Sequence, residues 1–236
     1  MRIADLEKRC HRERDPAPVW LRRLSYYLSI PFIYLRISAN QITFFSLILG
    51  IMASALFCVG GYWRILAGLG LLYLDRILDC VDGNIARYTK KYSLGGDFLD
   101  AQNHRFIFPL MLLGLGYGVY NTSGQIAFLF LGISASFFTQ ATYNTDLLKD
   151  MILLFFGGKS VASVKASVNA SGKINLVSYL AGQPTKRARE VLLVAAVLKI
   201  IPLAVIFYGL FLPVRWVALA SITFFKMKKE KQLTTF

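Results

Sequence analysis

The sequence predicts an all-α, polytopic membrane protein: six transmembrane helices preceded by an amphipathic juxtamembrane helix. Three observations predict it. The 236 residues are 56% hydrophobic and 17% charged, too little polar surface for a soluble domain of this size. The apolar residues come in runs long enough for a bilayer. The charges gather in the tails and between those runs. The net charge of +14 is thus placed as the positive-inside rule and an anionic leaflet place it, and reads as a membrane signal with no nucleic-acid partner. Cys10, Cys58 and Cys80 form no CxxC pattern, which argues against a disulfide framework or a zinc site. The charged N-terminus has no apolar core directly behind it and does not read as a cleaved signal peptide.

Residues 1–38 read as a cytosolic head and interfacial helix, 39–226 as a membrane domain and 227–236 as a basic cytosolic tail. Within the first part, 19–37 mixes Arg22, Arg23 and Arg36 with aromatics and leucines. This predicts a helix lying on the membrane, broken near Pro31; the alternative is the start of a spanning helix. Ser38 or Asn40 caps a first span over 42–62, with the turn at Gly60-Gly61. A second helix covers 64–87, a short basic loop 88–95 and a third helix 96–120. After a turn at 121–124, a fourth helix runs over 125–146, its apolar character continuing to 156. Residues 157–189, rich in Ser, Gly, Ala and Lys, read as a re-entrant or cytosolic loop. A fifth helix is expected over 191–211, a turn at Pro213 and Arg215, and a last helix over 216–226 whose lysines reach the headgroups. Six crossings put both termini on one side. That side holds the head, Lys90, Lys91, the 157–189 loop and the tail, whereas the other holds little beyond Arg64 and Arg215. Both termini are therefore expected in the cytoplasm, in the inner (cytoplasmic) membrane or its equivalent.

The decisive stretch is Asp79-Cys-Val-Asp82-Gly83-Asn-Ile-Ala86-Arg87, followed by Gly96 and Asp100. Each carboxylate inside a spanning helix costs about 2.5–3.5 kcal/mol. Several at one depth, at the same end of two consecutive helices, argue for a shared function, most simply a metal site. Asp75, Asp79, Asp82 and Ala86 form one helical stripe, and Gly96, Asp100 and His104 another. A short loop joins the two helices, so they are expected as antiparallel neighbours with facing stripes. Carboxylates from both would supply the oxygen ligands that Mg²⁺, Mn²⁺ or Ca²⁺ prefers. Gly83 and Ala86 leave room beside the acids, and Arg87 lies within reach of a phosphate. Together these residues describe a pyrophosphate site open to the cytosol. A transport site would lie nearer the midplane, which counts against a transporter.

This string resembles the signature of the CDP-alcohol phosphotransferase family, Asp-x2-Asp-Gly-x2-Ala-Arg-x8-Gly-x3-Asp-x3-Asp. Asp79, Asp82, Gly83, Ala86, Arg87, Gly96 and Asp100 match it in spacing, and the helix layout is similar across most of the chain. The resemblance implies metal-dependent transfer of a phosphoalcohol group from a CDP-linked donor to an acceptor hydroxyl, with release of CMP, in phospholipid or related lipid synthesis. It implies Mg²⁺ or Mn²⁺ held by Asp79, Asp82 and Asp100, and a nucleotide held beside Asp79, Gly83, Ala86, Arg87 and Gly96. It also implies a homodimer. Whether the donor or the acceptor is the lipid stays open.

The last motif Asp is His104 here. Three readings stay open: His104 works with Asp100 as the catalytic base; it marks a different acceptor or metal number, with Asp97 or Asp75 assisting; or transfer is lost and the site only binds CDP-linked ligands. Asp75 is expected beside Asp79 or paired with Arg76 or Arg105, and Gln102 and Asn103 near the site. Lys159, Lys165, Lys173, Lys186, Arg187 and Arg189 are candidate anchors for an anionic acceptor or headgroup, or simply a positive-inside loop. Lys199 is expected inside the fifth helix, in need of a partner.

Overall fold

The computed structural model describes residues 10, 18–91, 93–156 and 188–233. Among them are seven helices and no strand: α1 Val19–Tyr34, α2 Ala39–Val59, α3 Tyr62–Thr89, α4 Leu94–Ser123, α5 Ile126–Phe156, α6 Ala188–Val197 and α7 Ile201–Leu233. Lys159, Lys165, Lys173, Lys186 and Arg187 lie outside the described residues.

Helix ends follow from local chemistry. Of the two candidate caps for α2, Ser38 is the one used. Its hydroxyl accepts from Gln41 N at 3.3 Å, while Gln41 Oε1 accepts from Ser38 N at 2.9 Å, a capping box. Gly60 and Gly61, at φ 73° and 86°, turn the chain into α3. Ser93 caps α4 by accepting from Gly96 N at 3.0 Å. Among the described residues, the non-glycine residues at positive φ are Arg36, Lys90 and Lys199, which follow α1, α3 and α6. A basic residue at a helix C-terminus also meets the negative end of the helix dipole.

Three expectations about breaks need correction. Pro31 does not break α1, which runs on to Tyr34. Pro31 and Tyr27 both lie on the exposed face, so the carbonyl that loses its partner stays open to solvent or headgroups. The single helix expected over 191–211 is two helices. Lys199 N donates to Ala196 O and Ile200 N to Ala195 O, a Schellman motif with Lys199 in the left-handed position. Lys199 is therefore not inside a helix but at an exposed corner, its Nζ 5.4 Å from the Tyr62 ring centroid. The turn expected at Pro213 is absent, and α7 continues through it, as prolines in apolar helices can when neighbouring elements satisfy the freed carbonyl. Arg215, expected in that turn, is only 8% exposed within α7.

The helices close on themselves in the neighbour order α3–α2–α4–α5–α7–α6 and back to α3, with α1 laid against the outside of α3. The sequence neighbours α3 and α4 do not pack along each other, contrary to expectation; α2 wedges between them and packs on both. The reason is close approach between α2 and α4. A Cβ at Gly118 would strike the backbone oxygen of Phe57, and one at Gly114 would lie 2.7 Å from Ser54 O, so α4 settles on α2 almost backbone to backbone. Phe57, Leu72, Met111, Leu192, Tyr208 and Leu212 fill the core between the helices.

Large apolar side chains such as Phe44, Met52, Phe130, Phe137, Leu203 and Leu210 face outward, the reverse of a soluble surface. Among the described residues, three helices are long and apolar enough to cross a membrane, over Ala39–Val59, Ile126–Leu148 and Ile201–Phe225. This is fewer than the six expected. Helices α3 and α4, at 28 and 30 residues, have the length but carry the acids and arginines of the site, and α6 has 10 residues.

Candidate functional site: an acidic cleft between α3 and α4

Because α2 holds α3 and α4 apart, their site-bearing ends enclose a cavity of about 360 Å³. The motif residues Asp79, Asp82, Gly83, Ala86, Arg87, Gly96 and Asp100 line it, as does Asp97. The wall is completed from outside the motif by Arg22 and Ser25 of α1 and by Asn40 and Thr43 of α2.

The acidic stripe of α3 does not act as one unit, because each carboxylate has a different neighbour. Asp79 faces α4: His104 Nε2 lies 3.2 Å from Asp79 Oδ1 and 3.6 Å from Asp100 Oδ1. Arg76, one turn back, donates to the other Asp79 oxygen at 2.6 Å. Asp82 faces α2 and accepts from the Thr43 hydroxyl at 2.6 Å. Asp75, buried deepest, accepts from Ser46 of α2 and from Arg189 of α6, the latter at 2.8 Å. Asn103 Nδ2 donates to the same Ser46 hydroxyl at 3.0 Å. Asp75 is thus paired with Arg189 rather than with Arg76 or Arg105, and Gln102 is exposed.

Asp79, Asp100 and His104 each bring one ligand atom within 4.8 Å of the others. Two carboxylates and an imidazole are a donor set that fits a divalent cation. Asp82 stands on the same cavity wall but outside that trio, its Oδ2 committed to Thr43. Gly83 and Gly96 leave space for defined neighbours. A Cβ on Gly83 would lie 3.1 Å from Arg87 Nη2, and one on Gly96 2.6 Å from Asn40 Oδ1. Gly83 thereby lets the Arg87 guanidinium lie back along α3, and Gly96 lets the start of α4 abut the start of α2.

Sequence reasoning missed Thr43, Ser46 and Asn84 as parts of this region and placed Arg189 only among the loop cations. Thr43 and Ser46 did leave a signal: two hydroxyls three residues apart in an apolar run, on one helical face. Arg189 left none, since its partner lies 114 residues away, and Asn84 showed only its spacing to Arg87, its partners on α1 lying 55 and 59 residues away.

A model of the family described as CDP-alcohol phosphatidyltransferase matches residues 36–225. No curated protein matches the chain. The match runs from the start of α2 into α7 and takes in the whole α3–α4 cleft. With apolar helices around an acidic, arginine-bearing cavity, the chain belongs to the CDP-alcohol phosphatidyltransferase family, membrane-integral transferases of phospholipid synthesis.

Proposed function

We propose that this protein transfers a phosphoalcohol group from a CDP-linked donor to an acceptor hydroxyl, releasing CMP. The carrying observation is the convergence of Asp79, Asp100 and His104 within 4.8 Å, with Asp79 and Asp100 on the wall of a cavity that Arg22 and Arg87 also line.

Asp79 and Asp100 would hold Mg²⁺ or Mn²⁺, with Asp82 alongside. The cation would neutralise and orient the donor's pyrophosphate. Arg87, two turns beyond Asp79 on α3, would face the phosphates as a planar, permanently charged donor, and the space beside Gly83, Ala86 and Gly96 would admit the nucleotide.

His104 would take the proton from the acceptor hydroxyl. Its Nε2 is directed at Asp79 Oδ1, 3.2 Å away. A hydrogen bond there orients the imidazole, makes Nε2 the protonated nitrogen and leaves the Nδ1 lone pair free to accept. Asp79 thus serves His104 as a carboxylate serves the histidine of a hydrolytic triad. As the hydroxyl oxygen bonds to the donor's β-phosphorus, the bond from phosphorus to the CMP oxygen breaks, and the acceptor's proton moves to Nδ1.

Lys90 and Lys91, at the same end of α3 as the acids, support a cytosolic opening of the cleft. The test is incubation of the purified protein in lipid nanodiscs with CDP-linked donors, candidate hydroxyl acceptors and Mg²⁺ or Mn²⁺, measuring CMP. Metal-dependent CMP release with transfer to the acceptor supports the reading. CDP binding without release, for every donor and acceptor tried, would reduce the protein to a nucleotide-binding member of its family.

A further inference from the structure

The motif leaves position 84 unspecified, yet in this chain it carries a fully committed amide. Asn84 is 3% exposed. Its Nδ2 donates to Ser25 Oγ at 3.1 Å and to Ser29 Oγ at 3.2 Å, both on α1. Its Oδ1 accepts from Arg87 Nη2 at 3.1 Å. The two hydroxyls have already used their protons: Ser25 donates to Arg22 O at 2.8 Å and Ser29 to Ser25 O at 2.6 Å. Each serine therefore offers position 84 only lone pairs, whereas Arg87 offers only protons. The side chain between them must donate on one side and accept on the other. Asparagine does both; aspartate would set a carboxylate oxygen against two hydroxyls with no proton to give.

The Arg87 guanidinium depends on this contact. Its Nε is buried without a hydrogen-bond partner among the described residues, and the space above Gly83 admits it without forcing its direction. Ser25 and Asn84 both line the cavity, so the chain of bonds from α1 to Arg87 runs along its wall. Cys10 Sγ adds a contact to Asn84 O at 3.4 Å.

We infer that Asn84 is a positioning residue: it aims Arg87 into the cleft and makes that aim depend on the seating of α1. The membrane-surface helix thereby becomes a working wall of the nucleotide site. Outward-facing Trp20, Tyr27 and Tyr34 suit α1 to an interface, so the depth at which it sits in the membrane would be felt at Arg87. This inference rests on the reading that Arg87 faces a CDP phosphate.

Two measurements on the full-length protein in nanodiscs test it. In the first, Asn84→Ala weakens CDP affinity about tenfold, and Ser25→Ala with Ser29→Ala, which cuts only the α1 half, weakens it about threefold. In an Arg87→Ala background, Asn84→Ala costs nothing further, because its effect passes through Arg87. Losses that multiply independently of Arg87 overturn the inference. In the second, phenylglyoxal labelling read by peptide mass shows Arg87 reacting about threefold faster in Asn84→Ala and in the serine double variant, with Arg76 unchanged. Equal acceleration at Arg76 would mean general loosening, and no acceleration at Arg87 would mean Asn84 does not hold it. Either result overturns the inference. The labelling needs no nucleotide. If the wild-type protein binds no CDP, the proposed function fails while the labelling still decides whether Asn84 positions Arg87.

Discussion

His104 on α4 reaches Asp79 on α3, Nε2 to Oδ1 at 3.2 Å, although the two helices do not pack along each other. The contact spans a gap kept open by α2. Had the helices packed directly, as the short loop between them suggests, their acidic stripes would meet face to face and the cavity between them would close. Wedged apart, they meet across the cleft through Asp79 and His104, and a cation there would tie the two walls together.

Asp79→Asn and Asp100→Asn each lower CMP release about a hundredfold or more, and chelation of divalent ions abolishes it until Mg²⁺ or Mn²⁺ is restored. CMP release unaffected by chelator would remove the metal from the reading.

His104→Ala lowers the transfer rate by about 10²–10⁴-fold while changing CDP affinity little. His104→Asp retains more activity than His104→Ala, since it keeps an acceptor for the hydroxyl's proton. A His104→Ala variant as fast as wild type would move the base elsewhere.

Thr43→Val removes the hydroxyl that donates to Asp82 Oδ2 at 2.6 Å and keeps the shape of the side chain. Asp82 is 8% exposed, so it loses a buried donor. Titration of CDP at saturating metal should show affinity down about threefold to tenfold. Unchanged affinity would make Asp82 a bystander.

Asp75→Ala strands Arg189, whose side chain is 22% exposed, and frees the Ser46 hydroxyl. Breaking a largely buried pair from one side destabilises by about 2–4 kcal/mol, read as a lower melting temperature in detergent. Replacing both Asp75 and Arg189 with apolar residues of similar volume recovers part of that loss. A wild-type melting temperature for Asp75→Ala would show that the pair is not structural.

Gly118→Ala places a methyl group against the backbone oxygen of Phe57. A backbone atom cannot rotate away, so α2 and α4 must separate. The expected destabilisation is about 1–3 kcal/mol, with CMP release reduced as the wedge shifts. Gly70, which has nothing within 4 Å of its Cβ direction, is the control: Gly70→Ala leaves the melting temperature unchanged or slightly higher.

The sequence by itself determined the helical membrane class, a helix start at Ser38 or Asn40, the Gly60-Gly61 corner and the motif residues that line the cleft. Each is a local property, set by composition, helical spacing or turn chemistry within a few residues. It also held an unread signal for the break before α7, since Pro202 stands three residues beyond Lys199, where prolines often follow a helix end. Only the tertiary structure decided which neighbour each acid faces: Asp79 turned to His104, Asp82 to Thr43, Asp75 to Ser46 and Arg189. Helical spacing puts these acids on one stripe but cannot say which helix lies opposite each turn. That depended on α2 seating itself between α3 and α4, through close contacts at glycines far from the motif.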